Sequence, residues 1–381
     1  MKILFTGDVN FRGLDTLTIE KSREILAEVY PFLETVDYRI PNLETPLADK
    51  EKHDPIKKSG PNLICSPENI VFLKAFQADA VTLANNHIGD YGEGATKDTL
   101  KLLDENEILH AGAGANIEEA YKALYLEKAD VCVAIISVCE NEFGIATKSN
   151  YGSAGYEPRL LMKQIKKEKQ NADFVIVVFH GGNEFNPLPS PDTRERYRLI
   201  CDMGADAVIG GHTHCPQGYE YYGKKPIVYS MGNFLFQKAY KIEPNDSWYY
   251  GYMSILDIED GINLQIIPYK FNQNATKITV FEGDDRKKMM EYIEKLSDII
   301  LDEEELGRYF QGWAWYHRWL PGPPKDYEDT DGYNVCGNLN LTLCESHHSQ
   351  CKAVLETLFR SENMIAKMYE DKIRILQKMP I

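Results

Sequence analysis

Val208-Ile209-Gly210-Gly211-His212-Thr213-His214 reads as a short buried strand that stops at two imidazoles one residue apart. An apolar run closed by glycines and then by polar residues is the pattern of a strand entering a turn. Two histidines on adjacent turn positions can serve two neighbouring metal ions. A His-x-His pair alone is a weak signal, and the reading rests on four further segments built the same way. Residues 1–6 break at Gly7-Asp8-Val9-Asn10, and residues 38–40 run into Pro41-Asn42-Leu43-Glu44-Thr45-Pro46. Residues 80–84 run into Asn85-Asn86-His87-Ile88-Gly89-Asp90, and residues 174–179 stop at His180-Gly181-Gly182-Asn183-Glu184.

In open α/β sheets, ligands collect beyond the carboxyl ends of the strands. Asp, Glu, Asn and His side chains supply the oxygens and nitrogens that divalent first-row ions accept. Taken singly, each segment has a plainer explanation. Asp8 fits an ordinary turn, Asn42 and Glu44 a solvated turn between prolines, Asn85-Asn86-His87 a helix cap, and His180 a hydrogen-bonded core histidine. Five such clusters at the same end of their strands favour a metal site.

These segments, with Asp90-Tyr91-Gly92, His180-x-Gly182-x-Glu184-Phe185, Gly210-x-His212-x-His214 and Ser230-x-Gly232-Asn233-Phe234, resemble the CapA type of protein. That family is associated with capsule and poly-γ-glutamate biosynthesis, within the calcineurin-like metallophosphoesterase superfamily. The likeness covers roughly residues 1–275. It implies a centre of two divalent ions (Mn, Fe or Zn). Asp8 and His214 would hold one ion; Asn86, His180 and His212 would hold the other; Glu44 would bridge them. His87 would be the catalytic proton donor or transition-state stabiliser. Asn10 stands where the superfamily usually has a histidine ligand, and Glu44 where it has an aspartate. An amide is a weak ligand, so the first site is expected to hold its ion less firmly.

Two ions about 3.5–4 Å apart share a hydroxide that is nucleophilic at neutral pH, and they clamp the oxygens of the group under attack. An imidazole, with an ordinary pKa near ~6.5, suits protonation of a leaving atom. Arg12 is either a substrate-anion contact or a solvated surface residue. Asp90 and Glu184 either orient ligand histidines or cap the helices that follow. Asn85 and Asn233 join these substrate-binding or supporting residues through the motifs that contain them.

The net charge of −16 argues against nucleic acid or an anionic membrane as partner. The expected partner is an anionic small molecule or polymer, whose repulsion by the chain's field must be offset by metals and local basic residues. No secretory signal and no apolar window of roughly 18 residues is visible, so the expectation is a cytoplasmic protein. Eight scattered cysteines suit a reducing compartment. Cys132 and Cys139 read as buried small hydrophobes, Cys215 as a packing residue rather than a ligand. Cys336, Cys344, His347, His348 and Cys351 lack the knuckle spacing of structural zinc.

Helical patterns fall at 20–30, 68–76, 93–106, 159–170 and 191–203, alternating with strands. Residues 216–222, 226–230, 250–258 and 262–269 read as antiparallel strands, with hairpin turns at Gly223 and at Asp260-Gly261. The expected fold class is α/β: a four-layer α/β/β/α metallophosphoesterase-like sandwich over 1–280, with a helical C-terminal extension over 281–381. In the extension, the aromatic run Tyr309, Phe310, Trp313, Trp315, Tyr316 and Trp319 must bury against something. Leu355, Leu358, Ile365, Met368 and Leu376 predict one long amphipathic terminal helix, the expected place for any protein partner. The function expected is a CapA-type metal-dependent hydrolase of capsule or poly-γ-glutamate metabolism, acting on a phosphoester or amide. The alternatives are a non-catalytic accessory subunit of a polymer-synthesising assembly and a phosphodiesterase with a small substrate.

Overall fold

The computed structural model of the chain describes residues 1–14, 17–240, 242–318 and 333–381. Sixteen strands are present among them: β1 (Lys2–Asn10), β2 (Tyr38–Leu43), β3 (Ala80–Thr82), β4 (Leu109–Ala111), β5 (Ala113–Gly114), β6 (Leu124–Lys128), β7 (Val131–Cys139), β8 (Gly152–Ser153), β9 (Phe174–His180), β10 (Ala207–Gly211), β11 (Tyr219–Tyr222), β12 (Lys225–Val228), β13 (Asn233–Phe236), β14 (Tyr250–Ile258), β15 (Ile262–Phe271) and β16 (Ile278–Val280). One sheet runs β16-β15-β14-β1-β2-β3-β4, with β13 pairing the end of β1. A second runs β11-β12-β10-β9-β7-β6, and β5 and β8 form a small ribbon.

The central strands of both sheets are parallel: β1, β2, β3 and β4 in one, β7, β9, β10 and β12 in the other. This arrangement explains their sequences. Parallel strands are covered on both faces and read as continuous apolar runs, as in Phe174-Val-Ile-Val-Val-Phe179, where residues 175–179 are buried. The two sheets face one another across a single hydrophobic core, and helices cover the outside, giving the expected layer order. The helix Pro191–Met203 is defined locally: Ser190 accepts the Thr193 N–H, proline fills the first turn, and Gly204 follows at φ 122°.

Three expectations are corrected. Residues 216–230 do form a hairpin, Tyr222 opposite Lys225, but β12 also pairs in parallel with β10. Its apolar segment Pro226–Val228 is buried against the parallel sheet, so this hairpin forms the edge of a mixed sheet. The terminal segment is two helices, Glu345–Phe359 and Asn363–Leu376, separated at Ser361 with φ 57°. Leu355, Leu358 and Met368 are about half exposed. The buried face instead carries Val354, Thr357, Ala366, Tyr369, Ile373 and Leu376. The reason lies in the partner helix, Glu303–Tyr316: Gly312 brings its backbone so close that a Cβ there would stand 2.4 Å from the Tyr369 carbonyl carbon. That contact selects the small and aromatic face. Third, Cys132 is only half-buried, at the start of β7, whereas Cys139 is buried; no disulfide joins any of the cysteines, all of which lie among the described residues.

The aromatic run packs inward through Tyr309, Phe310 and Trp313, which join the same core as the sandwich, while Trp319 lies outside the described residues. No helix among the described residues is long and apolar enough to cross a membrane.

Candidate metal centre

The carboxyl ends of β1, β2, β3, β9 and β10 converge where the two sheets meet. Glycine makes the approach possible at two of them. A Cβ at Gly7 would sit 1.7 Å from the Gly232 carbonyl oxygen, and one at Gly210 2.0 Å from that of Tyr229. The Asp8 N–H donates to the Gly232 carbonyl at 3.2 Å, so β1 enters the site pinned against the start of β13. After β10 the chain curls through two left-handed residues, His212 (φ 91°) and His214 (φ 57°). Such backbone costs on the order of 1–3 kcal/mol per residue and concentrates at functional sites. It is held by the His212 N–H donating to Asp8 Oδ2 at 3.1 Å.

Glu44, first residue after β2, is fully buried, and neither carboxylate oxygen has a hydrogen-bond partner. Its two oxygens face two ligand groups. Glu44, His180 and His212 form one, and Asp8, Glu44 and His214 the other; within each, the donor atoms lie within 4.8 Å of one another. Around His180 Nε2 stand Glu44 Oε1 at 3.3 Å, His212 Nδ1 at 3.1 Å and Asn86 Oδ1 at 3.1 Å. His214 Nδ1 lies 3.7 Å from Asp8 Oδ2 and 4.0 Å from Glu44 Oε2, and 2.9 Å from Asn233 Oδ1. These are the only such His, Cys, Asp and Glu groups among the described residues.

The electrostatics of the site favour a cation. Burial pushes the Asp8 carboxyl up to about 7, with the Glu44 charge adding to it, and burial pushes Glu44 up to about 8. Burial also holds His180 and His212 down at about 4 and His214 well below the ordinary imidazole range. The three imidazoles are therefore neutral at physiological pH, with lone pairs available, while two carboxyls need a positive partner to ionise. A buried carboxylate without a single donor is a poor structural element and a good cation ligand. The donor set therefore fits metal binding.

His87 stands beside the centre with Nε2 4.0 Å from Glu44 Oε1. Its Nδ1 meets Asp90 Oδ2 at 2.6 Å, which leaves Nε2 facing the centre. Asp90 in turn accepts the Leu63 N–H at 2.7 Å and pairs with buried Lys58. Asn85 is occupied by backbone: Nδ2 donates to the Leu43 carbonyl at the end of β2, and Oδ1 accepts from the N–H groups of His87 and Ile88 in its own loop. Asn10 is likewise occupied by backbone, donating to the Glu44 carbonyl at 2.9 Å and accepting the Arg12 N–H at 2.9 Å. Glu184 makes no hydrogen bond to the ligand histidines among the described residues, but its charge raises Glu44.

Sequence reasoning named Asn42 without assigning it a role and overlooked Lys58 and Lys238. Asn42 Nδ2 donates to Asp8 Oδ1 at 2.7 Å and lies 3.2 Å from His180 Nδ1, tying a strand end of each sheet together. Its place two residues before Glu44 was the available signal; Lys58 sits in a polar loop with none. Above the centre opens a cleft of about 550 Å³ whose wall includes Arg12, Lys58, His87, Glu184, His214 and Lys238, within the size range of small-molecule sites. Lys238 Nζ lies 3.6 Å from the centroid of the Trp248 ring and 4.3 Å from that of Phe185. Burial lowers its ammonium to about 8.

The model of the family described as bacterial capsule synthesis protein PGA_cap matches residues 2–238. The chain belongs to that family. Among curated proteins, this capsule synthesis family member is similar to the capsule biosynthesis protein CapA of Bacillus anthracis, 34% identical over 224 residues, 57% of this chain and 54% of that protein. It is similar to the PGA biosynthesis protein CapA of Bacillus subtilis, 30% identical over 249 residues, 62% of this chain and 63% of that one. It is also similar to a probable polyglutamine synthesis accessory protein of Mycobacterium tuberculosis, 29% identical over 185 residues, 44% of this chain and 48% of that one. The chain thus spans about half to three-fifths of the length of these relatives.

Proposed function

We propose that the chain is a metal-dependent hydrolase of capsule or poly-γ-glutamate metabolism, acting on a phosphoester or γ-glutamyl amide of an anionic substrate. The observation that carries this reading is Glu44: two buried carboxylate oxygens without partners, each shared with a different histidine-containing ligand group. Asp8, Glu44 and His214 would hold one divalent ion (Mn, Fe or Zn). Glu44, Asn86, His180 and His212 would hold the other. When bound, the ions supply Lewis acidity and a nucleophile at neutral pH. Asn10 supports the Glu44 segment through backbone hydrogen bonds, leaving the first site with fewer ligands than the second.

The chain's own groups do the remaining work. His87, held at Nδ1 by Asp90, carries the proton at Nε2 and delivers it to the leaving atom. Asn42 and Asn233 fix the orientations of His180 and His214. Arg12 and Lys238 provide positive charge at the cleft, offsetting the −16 net charge for an incoming anion.

Elemental mass spectrometry on protein purified without chelator should find about two ions per chain, and the loaded protein should hydrolyse a γ-glutamyl oligomer or an aryl phosphodiester. His87→Ala should keep the ions and lose turnover by ~10²–10⁴-fold. Loaded protein that turns over neither probe sinks the hydrolase reading. The second reading, a metal-binding accessory subunit, is favoured by the sparser first site and by the name of the mycobacterial relative.

A further inference from the structure

We propose that Asn340 and His347, carried by the C-terminal helices Tyr333–Leu343 and Glu345–Phe359, are specificity-determining residues of the cleft above the metal centre. There they hold a polar group of the ligand remote from the bond that is cut. This inference rests on the hydrolase reading and extends it to a part of the chain that lies outside the family match, which ends at residue 238.

Both residues line the same cleft as Asn86, His87 and His214. Asn340 is 5% exposed, and its Nδ2 donates to Ser59 Oγ at 3.1 Å and to Glu142 Oε2 at 3.2 Å. A carboxylate only accepts, so Glu142 sets which way the amide faces and leaves Oδ1 without a partner. His347 Nδ1 is also buried without a partner. Both atoms are buried within the wall of the cleft, where a polar group left unpaired costs about as much as a lost hydrogen bond. A ligand group that inserts against them recovers that cost, and one that cannot is rejected.

The placement is built in. The Glu345 carboxylate accepts the Asn141 N–H at 3.0 Å and Asn141 Nδ2 at 2.7 Å. The Ser346 carbonyl accepts Asn183 Nδ2 at 2.9 Å. Asn141 follows the carboxyl end of β7, and Asn183 lies three residues beyond the ligand His180. The strand-end loops around the metal centre therefore also hold the start of the helix that bears His347. Metal chemistry and ligand selection are thereby assigned to different stretches of the chain.

The test uses the full metal-loaded chain, with calorimetric binding of two probes, a γ-linked glutamate pentamer and bis(p-nitrophenyl) phosphate. Asn340→Ala and His347→Ala should each weaken a bound probe about tenfold, and by different factors for the two probes. Metal content and melting temperature should stay at the wild-type level. His347→Gln, which keeps a hydrogen-bonding side chain of similar reach, should recover most of the loss; should Asn340→Ala fold poorly, Asn340→Ser takes its place. Wild-type affinities in variants that retain metal overturn the inference and leave the hydrolase reading standing. Failure of both probes to bind the loaded wild type overturns both.

Discussion

Asn10 ends β1, Glu44 follows the adjacent β2, and a hydrogen bond joins them, yet their side chains have opposite uses. The Glu44 oxygens are unspent, whereas the Asn10 amide is committed to backbone at both ends. Glu44→Gln should therefore drop metal stoichiometry from about two to below one, because it removes a ligand from both groups at once. Asn10→Ala should leave stoichiometry unchanged and cost about 1–3 kcal/mol of stability through buried groups left unpaired. Elemental analysis with denaturant melts separates the two, and loss of metal from the Asn10 variant would make that amide a ligand after all. On the proposed reading, Lys238 bears on the charge of the ligand. Its ammonium faces Trp248 and Phe185; Glu184 and Asp246 favour its charge, and Arg12 opposes it. Since its folded pKa is depressed to about 8, it carries charge below that value and loses it above. The affinity of the loaded protein for sulfate should fall between pH 7 and pH 9 in the wild type. Lys238→Arg should hold its affinity across that range, and parallel decline in the two would remove Lys238 from anion binding.

At the level of elements, the site depends on strand ends drawn closer than side chains permit. β1 reaches the centre because Gly7 lies against the Gly232 carbonyl at the junction with β13, where the register shifts after Asp8. Gly7→Ala places a methyl where backbone already stands, and β1 and β13 must separate. We expect a loss of about 1–3 kcal/mol together with weakened metal binding, because Asp8 moves with the strand. A variant with wild-type melting and full metal content would show that β13 gives way without disturbing Asp8. The C-terminal helices follow the same logic: Gly312 permits the close crossing that decides which face of Asn363–Leu376 is buried.

For the whole molecule, the proposed metal centre should couple metal binding to folding. Asp8 and Glu44 have folded pKa values raised to about 7 and 8, so their contribution to stability is present at low pH and lost as pH rises through those values. His180 and His212, depressed to about 4, contribute in the opposite sense, losing stability as pH falls from the ordinary imidazole range toward 4. Between pH 6.5 and 8.5 the two carboxyls titrate, offset in part by Lys238, whose depressed pKa of about 8 makes stability rise as it loses its charge. Chelated protein should therefore lose on the order of 1 kcal/mol across that window, while metal-loaded protein should not, since bound cations would hold both carboxylates ionised. Thermal melts with and without chelator read the difference, and a flat chelated profile would mean that water or a side chain already compensates these charges.

Much of this was legible in the chain because parallel strands buried on both faces must be written as unbroken apolar runs. A polar residue ending such a run marks the strand's carboxyl end wherever it lies in the sequence. Asp8, Glu44, Asn86, His87, His180, His212 and His214 stand at or just beyond such ends, and the helix Pro191–Met203 shows as a helical pattern in the sequence. What the sequence did not determine depends on contacts between distant segments. Lys58 meets Asp90 across a loop, Asn42 links the two sheets, and β12 joins β10 in parallel although it also makes a hairpin. The buried face of the last helix was chosen by Gly312 on another helix. Local patterns report which residues shun water; only the packed tertiary structure decides which distant neighbour they meet, and here it places Asn340 and His347 in the wall of a cleft built mainly from the first 250 residues.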